Sequence, residues 1–420
     1  MISEIKKTEK RFMLDFVKIG QFSISVLVVY YMWYNERYGH NTLIVYGSFL
    51  LMCACLLIDI FEDGVLSFDD YHIGIWGNFA IILYSFVTGF FVAYSQSALL
   101  DSLKLVVQYS VIAFATFHFA KKSEKGLDWF FISLNLAALL CCYSLIKNPV
   151  LRISGRYSLS STSNPNTLGF IFVIGIFAIT YRFRPIIKWF VLYTPQILLM
   201  IYGIIQTGSR KALFAVLILI TIWIIESLRE LNRMDFVGKY LMFALILIIF
   251  ILSGRYLFKL YSNSYLSIRV GSMLDDESND NRINYYIRAW RIFKDKPLFG
   301  GGYDQFMYWS HFGSYAHSTY AETIADFGLI GCLIYFYPIL ESGISMMRSI
   351  VEKGTYRKMM ILVLWFVEMF MAIGQIFLID ITHYFAWLII YFECVRLLDS
   401  KNEDNEIVLV DAHTRYKYIK

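Results

Sequence analysis

Apolar runs of bilayer-crossing length alternate along the chain with short charged or turn-rich breaks. A helix that crosses a membrane needs roughly 20 mostly apolar residues. Against that length the pattern predicts twelve spans, near 13–34, 42–61, 72–94, 100–120, 127–146, 167–181, 186–205, 211–227, 238–258, 321–341, 358–378 and 379–397. The chain therefore reads as an all-α polytopic membrane protein. Its start, MISEIKKTEKRFMLDFVK, leads into the first run without a small-residue cleavage site, so that run reads as a retained span and not as a removed signal peptide.

One break differs from the others. Residues 261–320 form the only long loop in a chain otherwise joined by tight turns, and an insertion of that size is usually functional. The organisation that follows is an N-terminal bundle of about nine helices over 1–260, the large loop over 261–320, three C-terminal helices over 321–397 and a tail over 398–420.

Composition agrees with the pattern and adds two exclusions. With 58% hydrophobic and 17% charged residues and a mean hydropathy of +0.54, an ordinary soluble globule and a disordered chain are both ruled out. The net charge of +5 is modest and offers nothing to nucleic acid, so its placement matters more than its size. If the N-terminus is cytoplasmic, the cytoplasmic loops hold Lys121, Lys122 and Lys125, then Arg182, Arg184 and Lys188, then Arg229, Arg233 and Lys239, then Arg348, Lys353, Arg357 and Lys358. The positive-inside rule then puts both termini in the cytoplasm, the large loop outside, and function on the extracytoplasmic side. The six cysteines all lie in apolar runs and read as packing residues.

Within the large loop, NRINYYIRAWRIFK spaces Ile283, Tyr286, Ile287, Trp290 and Phe293 over an arc of roughly 120°, the pattern of an amphipathic helix on the membrane surface or over the bundle. Arg282 borders that arc and Arg288 points away from it. The helix should end near Asp295–Lys296, because Pro297 disfavours helical geometry in the residue before it. Gly300, Gly301 and Gly302 then allow a sharp turn or a close backbone approach.

Three other segments carry candidate chemistry. KNPVLRISGRYSLSSTSNPN, polar and turn-rich, brings Arg152, Arg156 and Asn166 to the outer side. TGSRKALFAVLILI places Arg210 and Lys211 at the start of a span, where they either snorkel to lipid phosphates or, with Gly208 and Ser209, form an anion site at a helix N-terminus. Lys211 is the better snorkelling candidate. HSTYAETIADFGLIG opens the tenth span with His317, a helix cap or a titratable donor or base, and Glu322. The acidic run Asp275, Asp276, Glu277 and Asp280 lacks the spacing of a calcium loop and reads as solvated, so no metal and no cofactor is expected. Glu368, midway along the eleventh span, must face the bundle interior.

Four segments in order, GRYSLSSTSNPNTLGF, TGSRKALFAV, NRINYYIRAWRIFKDKPLFGGGYDQF and AHSTYAETIADFGLIG, together resemble the bacterial O-antigen and capsular polysaccharide polymerases of the O-antigen ligase/polymerase superfamily. The resemblance implies a GT-C-like membrane fold at the bacterial cytoplasmic membrane. It also implies a glycosyltransferase acting on an undecaprenyl-pyrophosphate-linked oligosaccharide, with membrane lipid and a chain-length regulator and flippase of the same pathway as partners. Arg210 and Arg282 match family arginines thought to bind the pyrophosphate, and His317 matches the family histidine, followed here by Ser318 where many relatives carry Asn. Arg156, Asn166, Ser209, Tyr303 and Glu322 are the accompanying substrate-binding candidates; Tyr303, Tyr308 and Trp309 either stack on sugars or are buried. A ligase-type transferase uses the same donor and leaving group. A transporter or flippase shares the twelve-span plan, but usually has a long linker between its sixth and seventh spans where this chain has only Arg182–Pro185.

Overall fold

A computed structural model describes residues 15–63, 71–152, 154–182, 187–231, 254–275 and 282–398, together with 240 and 244; the side chains of 63, 187–191, 230–231 and 272–275 are not described. Most of the predicted ninth span, residues 64–70, the acidic run beyond Asp275 and the tail from 399 lie outside these residues.

Among the described residues the regular elements are helices, except for one two-stranded ribbon. In order the chain forms α1 (Phe16–Val29, prolonged through the π-helical turn Tyr30–Tyr34 to Asn35–Tyr38), α2 (Thr42–Asp63), α3 (Ile73–Val92), α4 (Gln96–Lys121) and α5 (Asp128–Lys147). After the ribbon β1 (Val150–Leu151) and β2 (Tyr157–Ser158) come α6 (Pro165–Arg182), α7 (Ile187–Thr207) and α8 (Arg210–Leu231). The remainder is α9 (Tyr265–Asp275), α10 (Arg282–Asp295), α11 (Phe306–Ser310), α12 (Thr319–Lys353), α13 (Tyr356–Met371) and α14 (Ile381–Leu398). Among the described residues, nine helices are long and apolar enough to cross a membrane. The protein is thus an all-α polytopic membrane protein, as its hydrophobic pattern predicts.

Helix starts follow local chemistry. Ser95, Ser318 and Thr355 accept from the amides of Ala98, Ala321 and Lys358, satisfying first-turn donors of α4, α12 and α13. In SNPN, Asn164 accepts from Asn166 N at 2.9 Å and Pro165 occupies the first helical position of α6, where its missing N–H costs nothing. The centre of the bundle is α6 and α14, 83% and 78% buried, whereas α2, α3 and α8 are only 28%, 22% and 33% buried. The outward faces of these peripheral helices carry Leu43, Phe61 and Phe91, which suits contact with lipid. Glu368 is fully buried and meets His383 Nδ1 at 2.8 Å, with Phe377 and Phe170 stacked on the imidazole.

Cations gather at one end of this bundle. Arg182 at the end of α6 meets Asp128 at the start of α5, Lys122 meets Asp59, and Arg357 lies over Tyr181. Because α6 ends, α7 begins, α8 ends and α12 ends there, the starts of α6, α8 and α12 share the opposite end.

Two helices depart from the predicted lengths. The tenth span is not 321–341 but the 35-residue α12, broken at Gly328 with φ 60° and ψ −162°. The break is closed by the chain that follows α10: Leu329 N donates to Pro297 O, Ile330 N to Leu298 O, Gly301 N to Ala325 O and Gly302 N to Asp326 O, at 2.8 to 3.2 Å. A mid-helix break leaves amides and carbonyls that must find partners, and Pro297–Gly302 supplies them. Gly300 performs the close approach expected of the glycine run, since a Cβ there would lie 2.4 Å from Asp326 C and O. The eleventh span, expected over 358–378, ends as α13 at Met371, and 372–380 is a non-helical connection. This connection is held to the start of α12 by Thr319, whose amide donates to Ala372 O and Gln375 O and whose hydroxyl donates to Gln375 O.

Candidate functional site

At the end of the bundle where α6, α8 and α12 begin, a pocket of about 40 Å³ is lined by Asn166, Ser209, Arg210, Lys211, Arg269, Arg282, Met371, Gly374 and Gln375. Four of these side chains are cationic and none is acidic. A space of this size exceeds what one water needs, so it can admit the oxygens of a small anionic group.

Each cation arrives from a different element. Arg210 and Lys211 are the first two residues of α8, behind a turn in which Gly208 has φ 61° and Ser209 Oγ accepts from Ala212 N at 3.5 Å. Arg269 stands on α9 and Arg282 opens α10. Arg210 Nη1 donates to Arg269 O at 2.9 Å and Arg269 Nη1 donates to Gly208 O at 2.6 Å, a reciprocal clasp that fixes α9 against the start of α8. Lys211 Nζ is 3.4 Å from Met371 O. A Cβ on Gly374 would fall 2.2 Å from Lys211 Nζ, so glycine leaves room for that ammonium against the 372–380 connection, with Arg282 Nη1 at ordinary contact distance.

Arg156 stands just behind the lining. Its Nε donates to Thr207 O at 2.7 Å and its Nη2 to Asn166 Oδ1 at 2.6 Å. Burial pushes its pKa down to about 9, with Arg269, Arg152 and Arg210 acting in the same direction and Tyr265 against. Arg269 is likewise lowered, first by burial and then by Arg210 and Arg282. These guanidiniums stay protonated at neutral pH, so they are held with their charges partly desolvated and, to a lesser degree, repelling one another. An entering anion would relieve that repulsion, and the start of α8 adds partial positive charge.

Of the residues singled out from sequence, Asn166, Ser209, Arg210 and Arg282 line one pocket, with Arg156 directly behind. Lys211 faces the pocket too, contrary to its reading as a lipid-snorkelling side chain, because the 372–380 connection covers it. His317 lies to one side, at φ 55°, with its ring between Tyr315 at 4.3 Å and Tyr285 at 5.5 Å. The Tyr285 ring beside the imidazole, one turn from Arg282 on α10, puts His317 on the Arg282 side of the pocket. Ser318, not His317, caps α12. Glu322 is buried and accepts from Ala316 N at 2.6 Å, shaping the turn that carries His317.

Tyr303 is not at the pocket. It is 1% exposed, its hydroxyl donates to Leu378 O, and it lines a separate cavity of about 30 Å³ with Tyr335 and Tyr384. Trp309 stacks under Lys296 Nζ at 3.4 Å and donates to Gly301 O, a structural setting. On α10 the buried face is Ala289 and Ile292, whereas Ile283, Ile287 and Trp290 are 60%, 45% and 51% exposed. These three residues of the predicted arc face outward, suited to a membrane surface, while Tyr286 is half-buried and its hydroxyl donates to Ile373 O at 3.2 Å. Arg282 lies at the border of the buried face, and Arg288 donates to Trp309 O at 2.9 Å.

Sequence reasoning missed Arg269 and Gln375. Arg269 is the sole charge in YLSIRVGSML, and a lone cation in an apolar stretch was the available signal. Gln375 is 6% exposed and, among the described residues, neither its Oε1 nor its Nε2 has a hydrogen-bond partner, although its backbone carbonyl is doubly engaged by Thr319. Leaving a buried polar group unmade costs about 1–3 kcal/mol, and no signal within IGQIF marked it as more than part of a span.

The fold and pocket define a polytopic helical membrane protein with a cationic, anion-adapted site at one end of the bundle. Residues 196–336 match the family model described as O-antigen ligase, a stretch running from α7 through Arg210, Arg269, Arg282 and His317 into α12. Over that segment the chain is similar to the O-antigen ligase family, in line with the resemblance carried by its motif segments. No curated protein matches it.

Proposed function

We propose that this protein is a glycosyltransferase that joins polyprenyl-diphosphate-linked oligosaccharide repeat units into a polysaccharide. The observation that carries the reading is the convergence of Arg210, Lys211, Arg269 and Arg282 on one pocket without a carboxylate, backed by Arg156. The match of residues 196–336 to a family model described as O-antigen ligase supports a lipid-linked glycan as the substrate class. The site lies at the end opposite the Lys/Arg-rich loops, so the positive-inside rule favours an extracytoplasmic site at the bacterial cytoplasmic membrane, with both termini inside.

In the transfer, an acceptor hydroxyl oxygen forms a bond to the anomeric carbon of the donor while the bond from that carbon to the diphosphate oxygen breaks, its electron pair leaving with the diphosphate. Charge grows on the leaving group. Guanidiniums fixed by the Arg210–Arg269 clasp are aimed at it before the reaction starts, so little reorganisation is required at the transition state. Asn166 and Ser209 add neutral donors. His317, on the Arg282 side, takes the hydroxyl proton or orients the acceptor. The exposed apolar residues of α10 lie along the interface from which a polyprenyl chain would approach.

Polymerase is preferred over ligase on the resemblance of the four motif segments, since both reactions use this donor and leaving group. Incubation of the purified protein with a polyprenyl-diphosphate repeat unit and no other acceptor decides between them. A ladder of chain lengths is expected. Product that forms only after addition of a lipid-A core means ligase, and no product in either case removes the transferase reading.

A further inference from the structure

The lining side chains are nearly all donors. Arg210, Lys211, Arg269 and Arg282 have no acceptor to offer. Asn166 Oδ1 already accepts from Arg156, and Ser209 Oγ accepts from Ala212 N. Gln375 is different, because its amide carries both a donor and an acceptor, both lack partners among the described residues, and the residue is only 6% exposed at the pocket wall. Its seat is rigid: Thr319 N and Oγ1 both donate to Gln375 O, at 2.9 and 2.7 Å, and Phe377 N donates to Thr319 Oγ1 at 3.2 Å. Thr319 is two residues from His317, so the amide stands between the cations and the segment that carries the imidazole.

A ligand spanning these two sides has phosphate oxygens at one end and sugar hydroxyls at the other. We propose that Gln375 is a positioning residue that reads the first sugar of the donor, its Oε1 accepting from the hydroxyl or acetamido N–H beside the anomeric carbon while Nε2 donates to the adjoining phosphate oxygen. This rests on the lipid-diphosphate reading and narrows it: the cations hold any lipid diphosphate, and Gln375 distinguishes one that bears a sugar. A hydrogen-bonding group is an effective discriminator because a ligand lacking its partner leaves the amide buried and unpaired.

The test is binding of two probes to the full chain in lipid nanodiscs, undecaprenyl diphosphate and undecaprenyl diphosphate carrying one N-acetylglucosamine. The wild type should bind the sugar-bearing probe more tightly. Gln375→Met, which keeps the volume but neither polar atom, should weaken the sugar-bearing probe by about tenfold, equivalent to about 1.4 kcal/mol, and the bare diphosphate by no more than about threefold. A packing role would weaken both alike and leave their ratio unchanged. Gln375→Glu retains the shape and sets a carboxylate among the cations, so it should weaken both probes; no change in either would mean that this side chain does not face the ligand and would overturn the proposal. Arg282→Ala separates the two levels. Loss of both probes in that variant with an unaltered ratio in Gln375→Met defeats the proposal alone, whereas unchanged binding of both probes in Arg282→Ala defeats the lipid-diphosphate reading itself.

Discussion

Replacing Arg210 by Lys keeps the charge of the pocket and changes its geometry. Arg210 commits Nη1 to Arg269 O at 2.9 Å and turns the rest of its fork toward the pocket. Lysine offers a single ammonium, which can approach either the carbonyl or a phosphate oxygen but cannot hold both in a fixed plane. The loss is therefore about one charged hydrogen bond, roughly 1.5–3 kcal/mol, and since each 1.36 kcal/mol is tenfold in rate, polymer formation should fall about 10- to 150-fold. Arg210→Ala also removes the charge and should fall further, by about 10²- to 10³-fold or more, the range for loss of one preorganised donor. Because Lys211 lines the same pocket, Lys211→Ala should cost at least about tenfold on the same grounds. The assay is the initial rate with a saturating lipid-linked repeat unit in proteoliposomes, with thermal melting as the control for folding. Activity of Arg210→Lys within twofold of wild type, or a Lys211→Ala variant as active as wild type, would refute the idea that these side chains grip a leaving group.

Arg282→Ala should abolish polymer with little change in melting temperature, whereas Arg288→Ala, which loses the bond to Trp309 O, should melt earlier yet retain turnover; the two readouts together check the assignment. Gly328→Ala should be among the most destabilising changes in the chain, at about 4 kcal/mol or more, because its φ and ψ lie in a glycine-only region and a Cβ would sit 2.6 Å from Gly300 N. Gly271→Ala on α9, where a Cβ meets nothing within 4 Å, should be neutral or slightly stabilising by the same melting measurement. Burial raises the pKa of Asp304, against a lowering bond from Ser102 Oγ at 2.6 Å, so its folded-state carboxyl favours the proton more than the unfolded one. Stability is then greatest below the unfolded pKa and declines as pH rises toward the folded value. Asp304→Asn should flatten that decline in melting temperature, and asparagine also tolerates the φ of 55° found there.

The sequence exposed what depends on local chemistry. Apolar runs, capping residues and the SNPN entry to α6 are each decided within a few neighbouring residues, and the helices follow them closely. Arg210 and Arg282 were visible for a related reason, since a cation at the start of a span or on the edge of an amphipathic arc conflicts with its local surroundings. Lys211 conflicted in the same way yet was misjudged. Whether such a side chain reaches lipid or turns inward is settled by what covers it, here a connection some 160 residues later. The direction of the α10 arc was left open for the same reason, because an apolar arc can meet the bundle or the membrane, and only the position of Phe306, Ala316 and Ala325 against Ala289 and Ile292 decides which.

Gln375 and the break at Gly328 lay beyond local reading because both are consequences of backbone polar groups paired across long stretches of chain. Hydropathy treats 358–378 as continuous, but helix α13 stops at Met371 and the next residues turn back to bond Thr319. The same pattern treats 321–341 as one span, yet the backbone at Gly328 opens to accept Pro297–Gly302. The two features are coupled through α12. Its first segment, between Thr319 and the break, is held on one side by the 372–380 connection and on the other by the chain leaving α10. Arg282 and Gln375 thereby approach one pocket, although neither contributes to the apolar periodicity that builds the bundle. A membrane tolerates such irregular backbone only where protein encloses it, so the two departures from helical continuity fall where the large loop and the last connection cover the bundle, and that is also where the cations meet.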